Sequence, residues 1–106
     1  MQIYFERRGG FLGTTLKTAV DTAQLPTEEA KDWERVLSTG DFKKLPPKVD
    51  SMAEIDQFSY KMTVVTNEWQ HTAEFTDVDA SEELQPLIRR LTLIARQTPR
   101  QNSTDR

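Results

Sequence analysis

The chain has no cysteine and a single histidine, His71. The first absence excludes a disulfide framework, thiolate metal sites and a cysteine nucleophile. The second means that a tetrahedral zinc site would need carboxylates for every other ligand. Basic runs are also missing. Arg7-Arg8, Lys43-Lys44 and Arg89-Arg90 are scattered pairs in a chain of net charge −3. Nucleic-acid affinity comes from a basic surface meeting phosphates, so this balance argues against it, and against membrane-surface binding too. No apolar run approaches a transmembrane span, and Met1–Arg7 carries no signal-peptide core. The expectation is a cytoplasmic protein with no cofactor, no metal, no nucleic-acid partner and no membrane partner.

What remains is a polar but patterned sequence. Its 106 residues fit one domain with one modest core. Residues 2–8 alternate, with Ile3 and Phe5 opposite Gln2, Tyr4 and Glu6, which predicts a half-buried strand. Three glycines in five residues, Gly9 to Gly13, then predict a turn with positive φ. Residues 14–21 alternate again, Leu16, Thr18 and Val20 against Thr15, Lys17 and Ala19, and complete a hairpin. Leu25-Pro26 breaks the chain. Thr27 suits an N-cap, and Glu28 and Glu29 suit the positive end of a helix dipole. Ala30, Trp33, Val36 and Leu37 carry helical spacing to about residue 39, where Gly40 is a natural terminator.

Phe42 and Leu45 are expected to fold back onto the core before Pro46-Pro47, and residues 46–56 read as a polar loop. Phe58, Tyr60, Met62 and Val64, then Trp69, His71, Ala73 and Phe75, mark a second hairpin turning at Asn67-Glu68. Proline is tolerated only in a helix's first turn, so the last helix should start near Gln85-Pro86, with Ser81–Leu84 a separate turn. Its stripe is Leu84, Leu87, Ile88, Leu91 and Ile94. The fold class is α+β: a ββαββα order, giving a four-stranded antiparallel sheet with two helices packed on one face. The domain is expected over 1–98, with 99–106 a disordered polar tail.

Candidate chemistry fares poorly. His71 lies on the apolar register of a strand, where a partly buried histidine at a sheet edge is the simplest reading. Asp77-Val78-Asp79-Ala80-Ser81 opens like a calcium loop, but Glu82 and Ile88 stand where glycine and glutamate are required. The serines have no histidine or glycine elbow around them, so a triad is unsupported. The pairs Glu28-Glu29 and Glu82-Glu83 fall at helix starts, where the dipole accounts for them. Gly9-Gly10-x-x-Gly13 lacks the lysine and following helix of a phosphate loop.

Two features resist a purely structural reading. Phe11 and Leu12 are large apolar residues at a glycine-rich tip. Either Phe11 folds under the sheet edge, or the pair protrudes as an apolar finger whose flanking glycines let a partner approach. Burying two such side chains in a partner is worth roughly 3–6 kcal/mol before binding costs. Leu25, beside the rigid Pro26, either packs on the first helical turn or meets a partner.

The segment Tyr4-Phe5-Glu6-Arg7-Arg8-Gly9-Gly10-Phe11-Leu12-Gly13 resembles the opening of the emfourin family, small bacterial protein inhibitors of protealysin and related thermolysin-like metallopeptidases. The similarity continues in order through Asp21-Thr22-Ala23-Gln24-Leu25-Pro26, Asp41-Phe42-Lys43-Lys44-Leu45-Pro46, Asp56–Val64, His71-Thr72 and Leu84-Gln85-Pro86-Leu87-Ile88. It covers about residues 1–98. The departures are Lys43-Lys44, where the family tends to apolar or small residues, and Glu68-Trp69-Gln70, where it tends to polar or basic ones.

The resemblance implies a non-enzyme that reversibly inhibits a thermolysin-like zinc peptidase, the zinc belonging to the partner. The expected partner-binding residues are Gly9, Gly10, Phe11, Leu12, Gly13, Leu25 and Pro26, and the expected apolar exposure of Phe11, Leu12 and Leu25 suits one of them to the pocket just after the scissile bond. A monomer is expected, with an edge-strand dimer as the other arrangement. The competing reading is a non-catalytic interaction module or assembly subunit.

Overall fold

The alternation of residues 2–9 decides how the sheet is built, because successive strand side chains point to opposite faces. The computed structural model describes residues 1–9, 14–47, 58–76 and 79–97. Strand β1 (Gln2–Gly9) pairs antiparallel with β2 (Thr14–Asp21) on one side and β3 (Phe58–Val65) on the other. Strand β4 (Gln70–Thr76) pairs antiparallel with β3, giving the order β2-β1-β3-β4.

One sheet face is apolar. Ile3, Phe5, Tyr60, Met62, Val64, Ala73 and Phe75 are all buried there. Phe5 and Tyr60 lie 6.0 Å apart between ring centroids, and Tyr60 stacks on Phe75 at 5.5 Å. These pairs add cross-strand specificity beyond the area they bury. Helix α1 (Thr27–Ser38) closes over this face with Trp33, Val36 and Leu37, at the spacing that places side chains on one side of a helix. Helix α3 (Leu84–Gln97) adds Leu84, Leu87, Ile88, Leu91 and Ala95, with Ile94 at the margin. Both helices therefore cover the same face. Arg35 to Glu83 at 3.2 Å and Arg90 to Glu29 at 2.9 Å tie α1 to the α3 segment, exposed pairs of small individual worth.

Three local details differ from the pattern-based expectation. Thr27 is the first helical residue and not the cap. Pro26 stands at the cap position, and its carbonyl accepts from the Ala30 N–H at 2.9 Å. Proline's pre-set φ opens the helix, and Glu28 and Glu29 complement its dipole. Helix α1 does end before Gly40, as expected, but Gly40 does not end the helical region. The Thr39 hydroxyl donates to the Val36 carbonyl and its N–H to that of Arg35, closing α1. The chain then restarts as the short helix α2 (Gly40–Lys44), which drives Phe42 fully into the core. Finally, α3 begins at Leu84. Its Pro86 is the third helical residue, where an N–H would lack an intrahelical partner anyway, so it breaks nothing.

The turn at Asn67-Glu68 is as expected. The Thr66 N–H donates to the Trp69 carbonyl at 2.9 Å, and the Thr66 hydroxyl oxygen accepts from the Glu68 and Trp69 N–H groups. The two sheet edges differ. Along β4 the Glu74 N–H donates to the Pro46 carbonyl at 2.9 Å, so the segment after α2 runs beside that edge. Strand β2 is the opposite edge. The sheet face away from the helices carries Tyr4, half exposed, among Glu6, Lys17, Ala19, Lys61 and Thr63. No helix among the described residues is long and apolar enough to cross a membrane.

Candidate functional site

The residues singled out for partner binding all flank the β1–β2 hairpin, and the register fixes where. Gly9 is opposite Thr14, so residues 10–13 make the connection. Gly9 has φ 101°, in the left-handed region that only glycine enters without steric cost. The expected positive φ is thus present at the tip's first residue. Gly10, Phe11, Leu12 and Gly13 lie outside the described residues. Beneath the tip, Gly9 also pairs with Phe58, and the Arg7 guanidinium lies 4.0 Å over the Phe58 ring. This cation–π platform rests on a register that pairs Arg7 with Tyr60, which strand patterning alone does not supply.

Leu25 and Pro26 occupy the other end of the hairpin. Asp21 is opposite Gln2 and opens a 3-10 turn over Thr22–Gln24. One Asp21 carboxylate oxygen accepts from the Ala23 N–H and the other from the Gln2 amide, both at 3.0 Å. Thr22 is buried. Its N–H donates to the Met1 carbonyl at 3.0 Å and its hydroxyl to Glu34 at 2.8 Å. Leu25 follows with its N–H on the Thr22 carbonyl and its side chain half buried against the core, while Pro26 is exposed. Seven steps of strand separate Gln2–Asp21 from Gly9–Thr14, roughly 24 Å. Among the described candidate residues, Gly9 therefore stands at the far end of the hairpin from the Leu25–Pro26 segment.

A family model described as Emfourin matches residues 5–92, most of the chain, including Gly9–Gly13 and Leu25–Pro26. The chain belongs to the Emfourin family. No curated protein and no solved structure matches it. The family points to a metallopeptidase-inhibitor role.

Elsewhere in the chain, His71 and Lys43 are tied into the fold. His71 is half buried on edge strand β4, its ring 5.2 Å from Phe42 in an edge-on contact. Its Nε2 lies 3.1 Å from the Leu45 carbonyl. A carbonyl only accepts, so Nε2 carries the proton and donates. The histidine thus anchors the α2 exit to the sheet. Beside it the Lys43 ammonium lies 4.1 Å over the Trp69 ring. Lys43, of the Lys43-Lys44 pair, and Trp69, of Glu68-Trp69-Gln70, are therefore partners: the aromatic face gives the lysine a seat.

Among the described residues no three His, Asp or Glu side chains converge as metal ligands. The guanidinium of Arg35 is held above its ordinary pKa by the hydrogen bonds it donates to the Asp32 and Glu83 carboxylates.

Proposed function

We propose that this chain inhibits thermolysin-like zinc metallopeptidases by seating the β1–β2 hairpin tip in the active-site cleft. It performs no reaction itself. Membership of the Emfourin family over residues 5–92 carries the reading. The choice of tip rests on the packing at the other end of the hairpin and on the sequence. Leu25 packs its side chain on the core, and Pro26 opens α1, so that end already has structural employment. Phe11 and Leu12 are the remaining apolar pair, flanked by glycines and mounted on two eight-residue strands.

Peptidases of this class favour a bulky apolar residue just after the scissile bond, and Phe11 or Leu12 would fill that pocket. Strands β1 and β2 are paired along their whole length, so that part of the hairpin pays little ordering entropy on binding. The partner supplies the zinc.

The test is a titration of the chain into a thermolysin-like peptidase, following cleavage of a short chromogenic peptide. Stoichiometric loss of activity, with the chain uncleaved on a gel, is the expected result. Full activity at large excess against a panel of such enzymes would leave an interaction module with another partner.

A further inference from the structure

The sheet face turned away from the helices carries one row that reads differently from its neighbours. Register places Lys17 opposite Glu6, Glu6 opposite Lys61, and Lys61 opposite Glu74. From β2 to β4 the charges run plus, minus, plus, minus. Such a row is antisymmetric about the sheet's centre line. Rotating a second sheet by a half-turn about an axis parallel to the strands reverses the row. Every lysine then faces a glutamate: Lys17 meets the second copy's Glu74, and Glu6 meets its Lys61, each twice. The row beside it, Ala19–Tyr4–Thr63–Thr72, reverses onto itself with Tyr4 over Thr63. Among the described residues, Tyr4 and Leu93 are the large hydrophobics left half exposed.

We propose that this face is a homodimer interface, two copies stacked sheet to sheet about a two-fold axis running along the strands. Charge complementarity selects the occupant and also the axis. A two-fold axis across the strands would set like charges against each other, Lys61 on Lys61, which is destabilising. An isologous contact requires self-complementarity, and this row has it. Aligned sheets stack at about −30°, so registry is best near the axis, where Glu6 and Lys61 lie on the two central strands. Glu6 also pairs with Arg8 two residues along the same strand, which sets its carboxylate on this face.

Four strands about 4.8 Å apart and about 25 Å long present roughly 500 Å² per chain, at the lower limit for a specific contact, so the dimer is weak. It is concentration-dependent, and screening by salt loosens it.

The experiment is sedimentation equilibrium of the whole chain from about 10 µM to about 1 mM, at low and high salt. The wild type should rise from its single-chain mass of 12.2 kDa toward twice that value, less so at high salt. E6K and K61E alone should each stay monomeric, because each sets like charges face to face. Mixed in equal amounts they should form a heterodimer, since every facing pair is again opposite. Far-UV circular dichroism confirms that each variant folds. If either does not, Y4S, which removes a side chain already half exposed, should weaken self-association at least about threefold. A wild type that stays monomeric near 1 mM overturns the proposal, as does a dimer indifferent to E6K, K61E and Y4S, or a mixture that fails to reassociate. A persistent monomer whose peptidase inhibition falls in K61E and E6K would assign the face to the peptidase instead.

Discussion

Gly9 shows how one residue's stereochemistry reaches the proposed function. At φ 101° a β-branched side chain would collide with its own backbone, a cost of about 1–2 kcal/mol. Replacing it by valine should lower stability by that amount in a urea titration, with the slope unchanged, and should weaken inhibition beyond the stability loss because the strand would leave β1 at a different angle. Unchanged stability would mean that the tip tolerates another backbone path. The glycine cluster made this position readable in the sequence, since few other reasons place three glycines in five residues. His71 was readable as structural for a similar reason: its register put it on the apolar face. Its partner was not, because the Leu45 carbonyl arrives from 26 residues away. The Arg7–Phe58 and Lys43–Trp69 stacks were hidden for the same cause, as each joins segments brought together only by folding.

At the scale of elements, period carried most of the information. Strand β2 is Thr14–Asp21, as its alternation implies, and the helical stripe around Trp33 and Leu37 is buried as its spacing requires. Boundaries decided by caps were harder. Thr27 has a capping side chain but makes no cap bond, and Pro26 holds the position instead. Gly40 looks like a terminator, yet burial of Phe42 and half-burial of Leu45 make the chain turn helical again.

The 3-10 turn at Thr22–Gln24 has no period to announce it. Its cap is Asp21, whose two carboxylate oxygens bind Ala23 and Gln2. Replacing Asp21 by alanine should cost about 1 kcal/mol, the usual worth of a side-chain cap, read as a lower thermal midpoint. A midpoint equal to wild type would show that the Thr22 bonds to Met1 and Glu34 hold this end alone.

For the molecule as a whole, the decisive feature is that one hairpin sets Gly9 and the Leu25–Pro26 segment at opposite ends. Sequence order alone could not separate them, since residues 9–13 and 25–26 lie close along the chain. The strand register does so. The account therefore predicts an asymmetric alanine series. Phe11→Ala or Leu12→Ala should raise the inhibition constant by about 30-fold, the effect of a hot spot worth about 2 kcal/mol. Leu25→Ala should lower stability through lost packing and leave inhibition by the folded fraction near wild type. The reverse pattern would move the site to the Leu25 end and keep the inhibitor reading intact. The charge row on the outer face was equally illegible before pairing, because Lys17, Glu6, Lys61 and Glu74 become neighbours only through the register.

The most direct test of cleft occupation is calorimetric titration of the chain into a thermolysin-like peptidase, alone and with the active site saturated by a small zinc-binding inhibitor. The account predicts one-to-one binding to the free enzyme that vanishes when the site is saturated. Unchanged binding to the saturated enzyme, or no binding to the free one, would contradict it.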